Sequence, residues 1–225
     1  AYKQPPNENK NVLVKVVNYT SKNKTFKEYK IPFTGDINRP KTINKIVEIE
    51  NRNIVIIELL KEILIEDKRK ILILSDRIEH LKVLKLEIDK LEKYTCDFYI
   101  GGRKQKDLDK ASECQILLGS YGMASEGLDI PSLNTLIMTT PRREVEQSIG
   151  RITRKNLNIL PLVIDIVDQI PCFQKQGIYR QKLYKKLKYN VKVINVNETE
   201  IQSEENLSLD HIVNNEDTFD CDFVD

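Results

Sequence analysis

The chain has 225 residues, 40% of them hydrophobic and 31% charged, with a formal net charge of +2. That suffices for one sizeable core. It contains no run of eighteen apolar residues, which excludes a membrane-spanning helix, and its polar start AYKQPPNENK does not read as a signal peptide. Cys96, Cys114, Cys172 and Cys221 stand apart with no C-x-x-C pair, so neither a zinc site nor a disulfide framework is expected. That usage points to a reducing, intracellular compartment such as nucleus or cytoplasm. His80 and His211 have no ligand-spaced neighbours, so no metal site is expected in the chain itself.

The small net charge hides a split. Residues 197–225 carry ten acidic residues and no Lys or Arg, which leaves 36 basic against 24 acidic residues, a net +12, on the rest. A basic body suggests a polyanionic partner, and the acidic tail reads as a solvated segment or, alternatively, as a mimic of that partner lying over the basic surface. Abundant Ile, Lys and Asn with no Trp reads as the codon bias of an AT-rich genome.

In chain order, NVLVKVVNY and FKEYKIPF alternate on either side of a polar SKNKT turn, which predicts a β-hairpin over 11–33, outside the main pattern. Residues 41–66 predict helix, with Ile56, Leu59, Leu60, Ile63 and Leu64 at i, i+3, i+4 spacing. ILIL (71–74) is a short apolar run of the kind buried on both faces of a sheet. A helix with Leu81, Leu84, Ile88 and Leu91 on one face follows, then a strand at TCDFYIGG (95–102) and a short polar helix at KQKDLDKAS. QILLGS (115–120), TLIMTT (135–140) and LPLVIDIVD (160–168) predict further strands, with a helix from Val145 to Arg154 between the last two. CFQKQGIYRQKLYKKLKY predicts a basic helix, whose Arg180, Lys182, Lys185, Lys186 and Lys188 form either a solvated face or a nucleic-acid strip. VKVINV would make a final strand. Strands alternating with helices predict an α/β fold with a parallel sheet flanked by helices, whose ligands bind at the carboxyl ends of the strands. The expected division is 1–44 as a connecting segment, 45–196 as the α/β domain and 197–225 as the tail.

Three strand-end segments carry polar residues in patterns suited to phosphate. ILILSDRIEHL, SYGMASEGLDIP and QSIGRITR stand in this order, each on or after a buried strand. Together they resemble motifs IV, V and VI of the second RecA-like domain of superfamily two helicases, over roughly residues 45 to 195. The resemblance is closest in style to repair-type and large-DNA-virus DNA helicases. The last segment matches the family's Q-x-x-G-R-x-x-R. A permanently charged, planar guanidinium donates two parallel bonds to phosphate oxygens, and phosphoryl transfer is largely charge stabilisation and positioning.

The resemblance implies a RecA-like fold and an ATP-dependent helicase or translocase. It assigns Arg154 as the arginine finger, Arg151 as its partner, and Gln147 as a polar contact near the γ-phosphate or attacking water. Gly150 would let its helix pack closely. Around the nucleotide it places Gly127, Asp129 near the ribose, and Glu126 orienting the loop. Nucleic-acid phosphates would be met by Ser120, by Ser75 and Arg77, and by Gly102 and Arg103 beside Gly101. For Ser120 and Ser75 a capping role stands as an equal alternative, and for the glycines a plain turn. Arg151 and Arg154 could instead be a surface pair making salt bridges with Glu144 and Glu146. No G-x-x-x-x-G-K-[ST] and no D-E-x-D or D-E-x-H occurs, so ATP and Mg²⁺ are expected to be held by an N-terminal RecA-like domain upstream. The chain then reads as the C-terminal half of a helicase, unable to turn over ATP by itself. Expected partners are that domain and single-stranded or duplex nucleic acid, DNA over RNA, and no membrane. A non-enzymatic binding module and a duplex translocase are the alternatives.

Overall fold

The computed structural model describes residues 11–126, 128–153 and 159–206, apart from the Glu126 side chain. Eight strands form one sheet: β1 (Leu13–Thr20), β2 (Ile71–Leu74), β3 (Cys96–Tyr99), β4 (Ile116–Gly119), β5 (Thr135–Met138), β6 (Leu162–Asp168), β7 (Asn190–Asn197) and β8 (Glu200–Asn206). Their order is β3-β4-β2-β5-β6-β1-β7-β8, parallel throughout except for the antiparallel β7–β8 pair. Seven helices lie among the described residues: α1 (Arg39–Val47), α2 (Glu50–Leu64), α3 (Ile78–Asp89), α4 (Gln105–Glu113), α5 (Tyr121–Glu126), α6 (Glu146–Ile152) and α7 (Pro171–Lys186).

The apolar runs behave as a sheet covered on both faces requires. ILIL, ILLG, TLIM and LVIDIVD are buried at every position. Val14, Leu72, Leu117, Leu136 and Val163 face α4, α5, α6 and α7, whereas Val17, Ile71, Ile73, Leu118 and Ile164 face α2 and α3. On α2 the expected Ile56, Leu59, Leu60, Ile63 and Leu64 make that contact.

Three expectations need correction. The 11–33 hairpin does not form: β1 lies inside the sheet between β6 and β7, and 26–33 forms no paired strand. The polar positions of NVLVKVVNY, which suggest an exposed face, are satisfied laterally instead. Asn18 Nδ2 donates to Asn195 Oδ1 at 2.9 Å, and Gln169 Nε2 donates to Asn18 Oδ1 at 3.0 Å. The acidic tail does not begin at 197. Glu200–Asn206 is an edge strand, and the Glu198 carboxylate accepts from Ser21 Oγ, the Lys22 N–H and Asn51 Nδ2. Those bonds hold its pKa below the usual carboxylate range. The remainder of the tail lies outside the described residues. Finally, Arg180 belongs to no surface strip, because it is buried.

The close-packed glycine is Gly177, not Gly150. A Cβ at Gly177 would stand 2.5 Å from Val167 Cγ1, so α7 sits directly on β6, whereas a Cβ at Gly150 meets nothing within 4 Å among the described residues. Gly177→Ala should therefore lower stability in urea denaturation by about 1 kcal/mol or more, overpacking outweighing the helix-propensity gain. Gly150→Ala should leave stability unchanged or raise it by up to about 1 kcal/mol.

Candidate nucleic-acid and phosphate interface

The loops after β2, β3 and β4 all leave the same, carboxyl edge of the sheet. Ser120 ends β4 and caps α5: its Oγ accepts the Met123 N–H at 3.4 Å and its carbonyl accepts the Ala124 N–H at 3.1 Å. Gly101 of the β3 loop lies beside α5, since a Cβ there would meet Met123 Sδ at 3.9 Å. Gly102 takes φ +79°, which a glycine adopts without strain, and both glycines are exposed. Asp129 is exposed, and its charge contributes to raising the nearby Tyr99 phenol, after burial.

Helix α6 joins this cluster through Arg151. Its Nε donates to the Ala124 carbonyl at 2.6 Å, one terminal nitrogen to Leu128 at 3.0 Å, and the other to Ser125 at 2.5 Å. Helix C-termini leave carbonyls without intrahelical partners, and Arg151 satisfies those of α5 while presenting a positive charge to the helix's negative end. The predicted motif V and motif VI segments are thus joined directly, through backbone carbonyls. Gln147 is exposed and lines a cavity of about 400 Å³ together with Tyr121, Ser125, Arg142, Glu144 and Tyr179. Arg154 and Gly127 lie outside the described residues, and for Glu126 only the backbone is described.

The lead into α6 is fixed from both faces of the sheet. Strand β6 carries Asp168 toward α2 and Asp165 toward α7, both fully buried. Arg52 pairs with Asp168 at 2.6 and 2.9 Å and donates on to the Thr139 carbonyl at 2.6 Å. Arg180 pairs with Asp165 at 2.8 and 2.9 Å, Tyr184 donates to the same carboxylate at 2.7 Å, and Arg180 donates on to the Arg142 carbonyl. Tyr121 Oη donates to the Thr140 carbonyl at 3.0 Å, and Thr139 Oγ1 donates to Leu74 at 2.7 Å. Sequence reasoning missed this scaffold. The signal was present: two aspartates inside an otherwise apolar strand must find buried partners.

Two other expected contacts are spent internally. Ser75 is fully buried: its Oγ accepts the Arg77 N–H at 3.1 Å and donates to His80 Nδ1 at 3.1 Å, so it closes a turn ahead of α3, whose N-cap position is Arg77 rather than the expected Ser75. The Arg103 guanidinium pairs with Asp97 at 2.9 and 3.1 Å, which, against the effect of burial, lowers the Asp97 pKa. Arg77 donates to Asn44 Oδ1 and to the Pro40 carbonyl, tying the β2 loop to the start of α1. Next to it, burial raises the Asp76 carboxyl, with Arg142 and Arg77 opposing.

His80 completes the Ser75 network, its Nε2–H donating to Asn53 Oδ1 at 3.0 Å while Asn53 Nδ2 donates to the Val47 carbonyl. Burial, assisted by the Arg52 charge, pushes its pKa down to about 3. The unfolded chain therefore takes up this proton first, at about pH 6.5. Stability is intact above that pH and falls by up to about 1.4 kcal/mol per unit toward pH 3. Thermal melts at about pH 7 and pH 5 should show the loss, and His80→Gln should flatten that part of the profile.

Residues 54–156 match the helicase conserved C-terminal domain family. A protein of Acanthamoeba polyphaga mimivirus that carries the name of an ATP-dependent RNA helicase is 40% identical over 203 residues, 87% of this chain and 38% of the relative. The chain carries a helicase C-terminal domain. Proteins of the same name from African swine fever virus are 34% identical over 94 residues, 40% of the chain and 18% of their own length. This helicase domain thus spans under two-fifths of the mimivirus relative. Among solved structures, T4 UvsW superposes over 84% of this chain and 42% of its own with a TM-score of 0.64 at 18% identity. The C-terminal part of the Fun30 ATPase domain covers 56% of this chain and 44% of its own, with a TM-score of 0.50 at 17% identity. These two share the α/β RecA-like fold.

Proposed function

We propose that this domain is the nucleic-acid-gripping and γ-phosphate-sensing half of an ATP-dependent nucleic-acid translocase. Its ATPase site is completed by an N-terminal RecA-like domain that holds the β- and γ-phosphates and Mg²⁺. The observation that carries the reading is Arg151: one side chain on the phosphate-facing helix α6 holds three carbonyls of the segment that begins with Ser120. A displacement of α6 on ATP binding or release is passed to α5 and so to the strand-end loops. Rigid coupling of this kind turns cleft closure into stepping.

The α6 surface suits an approaching nucleotide, since Gln147 is exposed and Gly150 has open space where a Cβ would stand. Arg154 supplies the finger in this reading. Arg151, already committed to backbone, acts as a positioning residue, which revises its expected role. Ser120, Gly101 and Gly102 remain the phosphate contacts, with Asp129 near the ribose. Ser75 is dropped because it is buried, and Arg103 because Asp97 occupies it. Phosphate contact makes binding salt-dependent and weakly sequence-specific. DNA and RNA are both open substrates: the motif style leans to DNA, whereas the viral relatives are named for RNA.

A second reading, a binding module without turnover, draws on the same residue, because an arginine spent on carbonyls can be purely structural. The test is ATP hydrolysis by the full-length protein with no nucleic acid, single-stranded DNA, duplex DNA and RNA in turn. Stimulation by one of them supports the translocase and names its track. Absence of turnover in all four overturns it in favour of the module.

A further inference from the structure

The segment that leaves β1, residues 21–38, belongs to none of the helicase motifs. It departs from the same carboxyl edge as the loops above, and Arg77 joins the α1 that follows it to the β2 loop. A bridge between Lys30 and Ile37, with Ile31 N–H donating to the Asp36 carbonyl at 2.8 Å, closes a small turn. At its tip stands Phe33, fully exposed and at φ +77°. An aromatic side chain at positive φ is strained by roughly 1–2 kcal/mol, and one held wholly in water gains nothing from burial. Both costs fall on the same residue. Below the tip the segment is anchored: Glu28 accepts the Cys172 N–H at 2.7 Å, the Tyr29 N–H donates to Thr42 Oγ1 at 3.1 Å, and Phe26 packs edge-on against Tyr19.

The charge of the segment indicates what would cover the tip. Residues 21–41 hold six basic residues against Glu28 and Asp36. Lys22, Lys24, Lys27, Lys30 and Lys41 are all exposed, and Lys27 and Lys41 stand 5.8 and 5.2 Å from the Tyr29 ring centre. Exposed lysines on the same segment as a projecting aromatic ring make the arrangement that grips single-stranded nucleic acid, cations tracking phosphate and the ring stacking on a base.

We infer that residues 21–38 extend the nucleic-acid track of the domain, with Phe33 stacking on an unpaired base and the flanking lysines holding the neighbouring phosphates. This rests on the nucleic-acid half of the proposed function.

The chain has no tryptophan, so Phe33→Trp places a single indole at the tip. Ile65→Trp, exposed beyond α2 and ahead of β2, serves as the control. Binding is followed separately through the anisotropy of labelled single-stranded DNA and RNA of about a dozen nucleotides. The expected result is quenching of the indole in Phe33→Trp but not of that in Ile65→Trp, with Phe33→Ala weakening binding about ten-fold. Phe33→Gly should lose the same affinity without lowering the melting temperature, because glycine removes the strain. If oligonucleotide binds while the emission of Phe33→Trp and the affinity of Phe33→Ala stay unchanged, the inference is overturned and the tip belongs to a protein contact. If neither oligonucleotide binds even at low salt, the nucleic-acid reading of the whole edge falls, and this inference with it.

Discussion

In the full-length protein, Arg154→Ala should reduce nucleic-acid-stimulated ATP hydrolysis by about 10³-fold or more, with nucleotide binding and melting temperature unchanged. A finger acts on charge that develops in the transition state, so its loss appears in turnover and not in affinity. Arg151→Ala should behave differently. Removing it strands the carbonyls of Ala124, Ser125 and Leu128, at about 1–3 kcal/mol for each that stays buried without a partner. The variant should lose stability and stimulation together. Arg151→Lys restores the charge but cannot span three carbonyls, so it should recover little of either. Steady-state hydrolysis with and without nucleic acid, read beside thermal melts, separates the two arginines. If Arg154→Ala leaves stimulated hydrolysis unchanged, Arg154 is not the finger and the γ-phosphate-sensing role of α6 falls. If Arg151→Ala is as stable as the parent, the coupling proposed through α5 fails.

The commitment of Arg151 to three backbone carbonyls is invisible in QSIGRITR. Spacing predicts a helix there but does not say which partner a guanidinium on it will find. The sheet is legible because ILIL, ILLG, TLIM and LVIDIVD are apolar at nearly every position, the mark of strands covered on both faces. β1 misleads because Lys15, Asn18 and their neighbours give it the alternation of a half-exposed strand. In place of water, Asn18 faces Asn195 and Gln169, and the Lys15 ammonium lies 3.8 Å from Glu62. Lateral polar pairing of this kind depends on which strand lies alongside, a fact of topology rather than of local sequence. The two glycines mislead for a similar reason. Gly150 sits in a recognised motif but faces open space among the described residues, whereas Gly177, in the basic helix and outside any motif, is pressed onto Val167. Ser75 and Arg103 lie in the expected loops, yet Ser75 is bonded to His80 and Arg103 to Asp97.

The largest expected stability effect lies in the scaffold around β6, and it also reaches the site. Arg180→Met leaves the Asp165 carboxylate fully buried with Tyr184 as a hydrogen-bond partner but no countercharge. Breaking a buried pair from one side costs about 3–5 kcal/mol, which for a chain of this size is a fall of roughly 10 °C in melting temperature. Arg180→Met with Asp165→Leu removes both charges and should recover much of that loss, since two desolvation penalties vanish along with one attraction. Function should not recover with stability. Arg180 also holds the Arg142 carbonyl at the lead into α6, and no apolar substitute can donate there. The double variant should therefore melt near the parent while hydrolysing ATP more slowly than it. The matching pair on the opposite face, Arg52 with Asp168, holds Thr139 in the same way, so Arg52→Met with Asp168→Leu should repeat the pattern. Full recovery of hydrolysis in either double variant would show that the buried pairs serve the core alone, and that the lead into α6 is set by Tyr121 and Thr139 without them.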